Sequence, residues 1–279
     1  MIATGAGWLP GAGASLPGDR FDHPGSADAR SRAGRSRAAA AWCAMRSVSR
    51  VARRIAATRR AAAPPAGTAD GIRARAFAFS RLAGEISAAH GLRTAIAGPV
   101  PRAPVILAAN HVSYVDPLVL AALVPCVPLA KREVARWPLI GSAGRAHGVL
   151  FVERGDARSG AASLLRARRA LASGVSVLNF PEGTTTRGDG VLPFRRGIFG
   201  LARALSIPVV PVAIQLEDPA LSWTGDARFV PHYLRMAARG GALVHVRFGY
   251  PMTPERYGSA EDLAREARAI VGHMLAVAA

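Results

Sequence analysis

The sequence predicts an α/β fold: a mixed, largely parallel sheet covered by helices and preceded by N-terminal amphipathic helices. Three observations carry that prediction. From residue 92 onward, apolar runs of strand length alternate with segments of helical period. Several runs, such as PVILAAN at 104–110 and VSVLNF at 175–180, are continuously apolar. That pattern marks strands buried on both faces, as in a sheet covered by helices. Finally, 50% of the 279 residues are apolar and 19% are charged. A chain of this length and composition buries a core without disulfides or metals, and it is not disordered throughout.

The elements follow in order. Residues 1–35 are rich in Gly, Ala, Ser and Pro without an apolar period, and read as disordered or as an overlong start. Residues 36–61 place Trp42, Met45, Val48, Val51 and Ile55 on one side of a helical wheel and Arg46, Arg50, Arg53 and Arg54 on the other. Such a basic amphipathic helix fits a membrane-surface anchor, and equally a helix packed on the domain. Pro64, Pro65 and Gly67 mark a linker over 62–70. A second helix over 71–90 carries Ile72, Phe79, Leu82 and Ile86 on one face, completing a basic helical region over 36–90. The α/β domain then occupies 91–279. Strands are expected at 92–97, 104–109, 126–130, 148–153, 175–180, 208–215 and 242–249. Helices are expected at 116–123, 132–143, 158–173, 195–206 and 259–277.

Composition narrows the function. Lys and Arg total 36 against 18 Asp and Glu, a net charge of +18. The excess is spread along the chain, with 11 basic and 4 acidic residues in 1–70 and 25 and 14 in 71–279. Such a chain is drawn to phosphate, in nucleic acid, anionic lipid or a phosphorylated substrate. A nucleic-acid reading requires basic residues interleaved with aromatics or a known binding module, and neither is present. Cys43 and Cys126 lie far apart in unlike contexts, so they build neither a disulfide framework nor a cysteine zinc site. No run of 18 apolar residues occurs, and residues 1–18 lack the basic-then-apolar layout of a signal peptide.

Polar residues interrupt the apolar runs at three strand C-termini, where open α/β sheets place their sites. After PVILAA comes Asn110-His111-Val112-Ser113-Tyr114-Val115-Asp116. If the turn folds back, Asp116 accepts a hydrogen bond from one His111 nitrogen and leaves the other free to take a proton. Asp116 before Pro117 also reads as a helix N-cap. The second segment, Gly148–Arg154, ends in a guanidinium able to fork onto phosphate, or in an ordinary surface arginine. The third, Phe180-Pro181-Glu182-Gly183-Thr184-Thr185-Thr186-Arg187, offers hydroxyls, a guanidinium and backbone N–H groups to an anion or polyol, or is a Thr-rich turn.

In this order, and with Ile207-Pro208-Val209-Val210-Pro211-Val212 following, these segments resemble the four blocks of the glycerolipid acyltransferases, nearest the 1-acylglycerol-3-phosphate (lysophosphatidate) acyltransferase group. Lys131, Pro138 and Gly141 also match that pattern, and the resemblance covers about residues 90–250. It implies an O-acyltransferase of phospholipid biosynthesis that moves a fatty acyl chain from acyl-CoA or acyl carrier protein to the free hydroxyl of a lysophospholipid. The first expectation is 1-acylglycerol-3-phosphate, giving phosphatidate; the alternative is another lysolipid such as lyso-ornithine lipid. His111 is then the base and Asp116 its orienting partner, with direct transfer and no acyl-enzyme. Arg154 is the phosphate ligand, with Lys131 and Arg187 as helpers. Glu182 and Gly183 shape the acceptor pocket, and the hydroxyls of Thr184, Thr185 and Thr186 meet the glycerol. The Ile207–Val212 block packs the core and lines the acyl pocket. No metal or further cofactor is required, and intact His111 and Asp116 argue against a dead relative. The remaining histidines, His90 and His232 among them, are structural or surface residues. Attachment is expected to be peripheral, on the cytoplasmic face of the membrane.

Overall fold

The computed structural model describes residues 37–58, 67–137, 140–153, 155–225 and 227–277. The expectations for residues 1–35, for most of the linker and for Arg154 lie outside the described residues.

Among the described residues, seven strands form one sheet in the order β1-β7-β6-β2-β5-β3-β4. They are β1 (Leu92–Ala97), β2 (Ile106–Ala109), β3 (Cys126–Lys131), β4 (Leu150–Val152), β5 (Ser176–Asn179), β6 (Val209–Leu216) and β7 (Ala242–Phe248). Every neighbouring pair is parallel except β6 and β7, so the sheet is mixed and largely parallel. The helices are α1 (Arg37–Thr58), α2 (Ala69–Ala89), α3 (Asp116–Leu123), α4 (Ile140–Ala146), α5 (Ala157–Ala172), α6 (Gly197–Leu205), α7 (Phe229–Arg239) and α8 (Ala260–Ala276).

The period of two along β2 explains its continuous apolar run. Leu107 and Ala109 enter one core with Phe79 of α2, Val119 and Leu120 of α3 and Met236 of α7. Ile106 and Ala108 enter the other core with Ala167 and Leu171 of α5, Phe199 of α6 and Leu263 of α8. All four strand residues are fully buried, so neither face tolerates a polar residue until the strand ends. No described helix is long and apolar enough to cross a membrane.

Three expectations change. The helix predicted over 132–143 is a 3-10 segment, Arg132–Arg136, followed by α4. Trp137 between them is extended (φ −68°, ψ 134°), as a residue preceding proline requires. Gly141 lets the two pieces close up, since a Cβ there would lie 2.0 Å from the Ala135 carbonyl oxygen. Strand β4 is an edge strand and only half-buried, not the buried strand its apolar letters suggest. Helix α7 was not anticipated; Pro231 falls within its first turn, where the missing N–H costs no helical bond.

Candidate active site

Strands β2 and β5 lie side by side and parallel, so their C-terminal loops emerge together. The connection from β2 to β3 packs its helix α3 on one face of the sheet, and the connection from β5 to β6 packs α6 on the other. Diverging connections open a crevice at that point. Asn110 extends the β2–β6 ladder with its side chain. Its Nδ2 donates to the Ile214 carbonyl (2.9 Å), and its Oδ1 accepts from the Ile214 N–H (2.7 Å). That buried amide anchors the residue immediately before His111.

The next turn folds back on itself. His111 Nδ1 lies 2.8 Å from Asp116 Oδ2, and the same oxygen accepts the backbone N–H groups of Val112 (2.7 Å) and Ser113 (2.8 Å). Asp116 is therefore not the helix cap. Val115 holds that position without a side-chain bond, and Asp116 is the first residue of α3. A carboxylate accepts and cannot donate, so Nδ1 carries the hydrogen and Nε2 is left with a lone pair. Phe180 stacks on the imidazole at a centroid distance of 4.0 Å and an interplanar angle of 19°. The His111 side chain is 16% exposed and that of Asp116 is fully buried. Asp116 Oδ1 is buried with no hydrogen-bond partner among the described residues.

The β5 loop grips the same turn from below. Glu182 Oε1 accepts the His111 N–H (2.8 Å), and Oε2 accepts the Leu192 N–H (2.9 Å). Burial pushes the Glu182 carboxyl above its ordinary value, and the Leu192 and His111 donors pull it partly back. The Thr186 N–H donates to the His111 carbonyl (2.8 Å). His111 is thus held at its N–H, its carbonyl and its ring.

A cleft of about 830 Å³ opens in front of this group and is lined mostly by apolar side chains. Val48, Val51 and Ile55 of α1, Phe79 and Leu82 of α2, Leu118 of α3 and Phe229 of α7 contribute to its walls. Such a cleft, apolar along its length with a base at one point, suits a chain-like substrate.

The fold is similar to that of a solved structure. The crystal structure of the 1-acyl-sn-glycerophosphate (LPA) acyltransferase PlsC from Thermotoga maritima superposes with a TM-score of 0.57 at 21% identity, over 74% of this chain and 80% of that one. The profile of the family described as Acyltransferase matches residues 91–215. A lyso-ornithine lipid O-acyltransferase from Pseudomonas aeruginosa is 36% identical over 183 residues, 63% of this chain and 69% of its own. The chain belongs to the acyltransferase family. A 1-acyl-sn-glycerol-3-phosphate acyltransferase from Neisseria gonorrhoeae is 34% identical over 137 residues, 48% of this chain and 52% of its own. The chain therefore spans about two thirds of the length of the first relative and about half of the second.

In this acyltransferase the structure brings His111 and Asp116 into contact and sets Lys131, Gly183, Thr184 and Thr185 along the same cleft as His111. Lys131 is engaged with Glu133 at 3.0 Å. Glu182 does not face the cleft; both its oxygens serve the backbone. Arg187 is exposed and not among the lining residues. Val209, Val210 and Val212 are fully buried in the sheet and line no part of the cleft. The wall expected from that block comes instead from α1, α2 and α7.

The sequence reading missed the Asn110 clamp, the Phe180 stack and Arg195, which lines the cleft. An asparagine ending an apolar run was the signal for the first. His90 and His232 are buried and structural. His90 bonds the Ile86 carbonyl (2.8 Å) and the Tyr233 hydroxyl (3.0 Å), and His232 bonds the Tyr114 hydroxyl (3.0 Å) and the Ser222 carbonyl (3.2 Å).

Proposed function

We propose that this acyltransferase moves a fatty acyl chain from an acyl thioester, acyl-CoA or acyl carrier protein, to the free hydroxyl of a lysolipid at the cytoplasmic surface of a membrane. The observation that carries this reading is the His111–Asp116 pair at 2.8 Å, opening its free nitrogen onto a long apolar cleft. The acceptor hydroxyl gives its proton to Nε2 as its oxygen attacks the thioester carbon. The buried Asp116 carboxylate then faces an imidazolium, which it stabilises. The tetrahedral intermediate expels the thiolate, which takes the proton back from Nε2, leaving an ester, a thiol and the enzyme unchanged.

Two features favour direct transfer. Ser113, the hydroxyl nearest the base in sequence, is fully buried and donates to the Leu221 carbonyl at 3.1 Å. Burial pushes the Cys126 thiol up to about 12, far from the thiolate a nucleophile needs.

Lyso-ornithine lipid is the favoured acceptor, because the relatives named for it match this chain over a longer stretch than those named for 1-acylglycerol-3-phosphate. The second reading is 1-acylglycerol-3-phosphate, with Arg154 as phosphate ligand and Lys131 and Arg187 assisting. That reading rests on the basic balance of the chain and the order of its motifs. The test is a transfer assay with purified protein, both donor types and a panel of lysolipids. Turnover of lyso-ornithine lipid well above 1-acylglycerol-3-phosphate supports the first reading, the reverse order supports the second, and no transfer to any lysolipid overturns both.

A further inference from the structure

Two consecutive arginines precede α6, and they are committed differently. Arg196 pairs with Glu261 of α8. Arg195 turns the other way, onto the β5 loop. Its backbone N–H donates to the Pro181 carbonyl (3.0 Å), fixing its Cα beside the loop. Its guanidinium lies over Gly183, where a Cβ would come within 3.0 Å of Cζ and Nε. Gly183 has φ +75°, a conformation that side-chain-bearing residues rarely adopt. The backbone conformation calls for glycine here, and the Arg195 guanidinium occupies the space beside it.

Arg195 lines the same cleft as His111, Thr184 and Thr185. Among the described residues no carboxylate pairs with it. Glu182, next to Gly183, is the obvious candidate in sequence, but its two oxygens are taken by the N–H groups of His111 and Leu192. The other Lys or Arg among the described residues lining the cleft, Lys131, already pairs with Glu133. Arg195 is exposed, and its guanidinium lines the same mostly apolar cleft as the base without an acidic partner among the described residues. Such a group suits an oxyanion, because its planar fork matches carboxylate and phosphate oxygens two at a time.

We propose that Arg195, seated over Gly183, binds the anionic group of the acceptor's head group. This rests on the lysolipid reading above. The shared chemistry is a two-oxygen anion, which is the free carboxylate in an ornithine head group and the phosphate in a glycerophosphate. Its capture beside the β5 loop orients the acceptor so that its hydroxyl meets His111 Nε2.

The experiment uses the full chain with the substitutions Arg195→Gln, Arg195→Lys and Gly183→Ala. Binding of lyso-ornithine lipid and of 1-acylglycerol-3-phosphate, each in uncharged detergent micelles, is measured by calorimetry without donor, so the answer does not depend on turnover. Steady-state KM for acceptor and for acyl-CoA is measured in parallel. Arg195→Gln is expected to weaken binding of at least one acceptor about 10-fold or more, the scale of a lost charge-assisted contact. The acyl-CoA KM stays unchanged and the acceptor KM rises by the same factor. Arg195→Lys recovers part of the loss, and Gly183→Ala, which displaces the guanidinium, weakens the same acceptor. The acceptor that loses more identifies the anion. Equal binding of both acceptors by wild type and Arg195→Gln, or a rise confined to the acyl-CoA KM, overturns the assignment. Failure of wild type to turn over either lysolipid instead counts against the proposed function, and the binding comparison still decides the role of Arg195.

Discussion

Replacing Asp116 by Asn separates the charge of the carboxylate from its shape. One oxygen of Asp116 accepts three hydrogens, from His111 Nδ1 and from the N–H groups of Val112 and Ser113. An asparagine carbonyl can occupy that position and keep all three contacts, so the turn survives. Two things are lost. The imidazolium formed in the transition state no longer faces a negative charge, and a hydrogen bond to a charged group is worth about 1.5–3 kcal/mol. At 1.36 kcal/mol per decade, kcat falls about 10- to 160-fold. The new amide NH2 takes the place of Oδ1, which is buried with no partner among the described residues. Burying an unsatisfied donor costs about 1–3 kcal/mol of stability, read as a fall of several degrees in Tm. The assay is thiol release at saturating donor and acceptor, alongside thermal melting. Because the pair acts as a unit, Asp116→Asn should add almost nothing in a His111→Ala background, where the base is already lost at a cost of about 10²–10⁴. Wild-type kcat in the single variant, or independent multiplication of the two effects, refutes this account of the pair.

Other expectations follow from the same geometry. Under the phosphate reading, Arg154→Ala raises the KM for 1-acylglycerol-3-phosphate far more than that for acyl-CoA, and Arg154→Lys restores it only partly; equal effects on both substrates reject the role. A chain beginning at Gly71 loses Val48, Val51 and Ile55 from the cleft wall and the exposed Trp42 and Met45, so it binds anionic vesicles less well and uses long-chain donors poorly. Binding of the full chain weakens as salt rises; unchanged binding and donor use by the shorter chain would remove α1 from both roles. Gly141→Ala forces a Cβ against the Ala135 carbonyl and lowers Tm by driving α4 off the preceding 3-10 segment, whereas Gly160→Ala, at an open position, does not. Burial holds His90 and His232 below the ordinary imidazole value of 6.5. The unfolded chain then takes up protons that the folded chain refuses, so stability is lost as pH falls below 6.5, and melting of a His90→Gln, His232→Gln double variant shows a shallower loss. Glu182 acts oppositely, since its raised carboxyl is protonated in the fold before it is in the unfolded chain.

What the sequence alone determined was whatever depends on side-chain type at a regular spacing. Strands buried on both faces are mostly apolar without alternation, so β2, β5 and β6 were legible within a residue or two. The five-residue step from His111 to Asp116 was legible because one tight turn closes it locally. Edge strand β4 was read too long because half-burial leaves the same apolar letters as full burial. The apolar stripe of α1 was visible, but not its division between the cleft wall and solvent, since that depends on what packs beneath it. Tertiary structure alone decided the work of Glu182. Its partners are backbone N–H groups of residues 111 and 192, and a backbone N–H is the same whatever side chain it carries, so no letter announces it. Arg195 was hidden for a related reason. Its contact is with a glycine, and the information is the absence of a Cβ at a point the chain reaches only after folding.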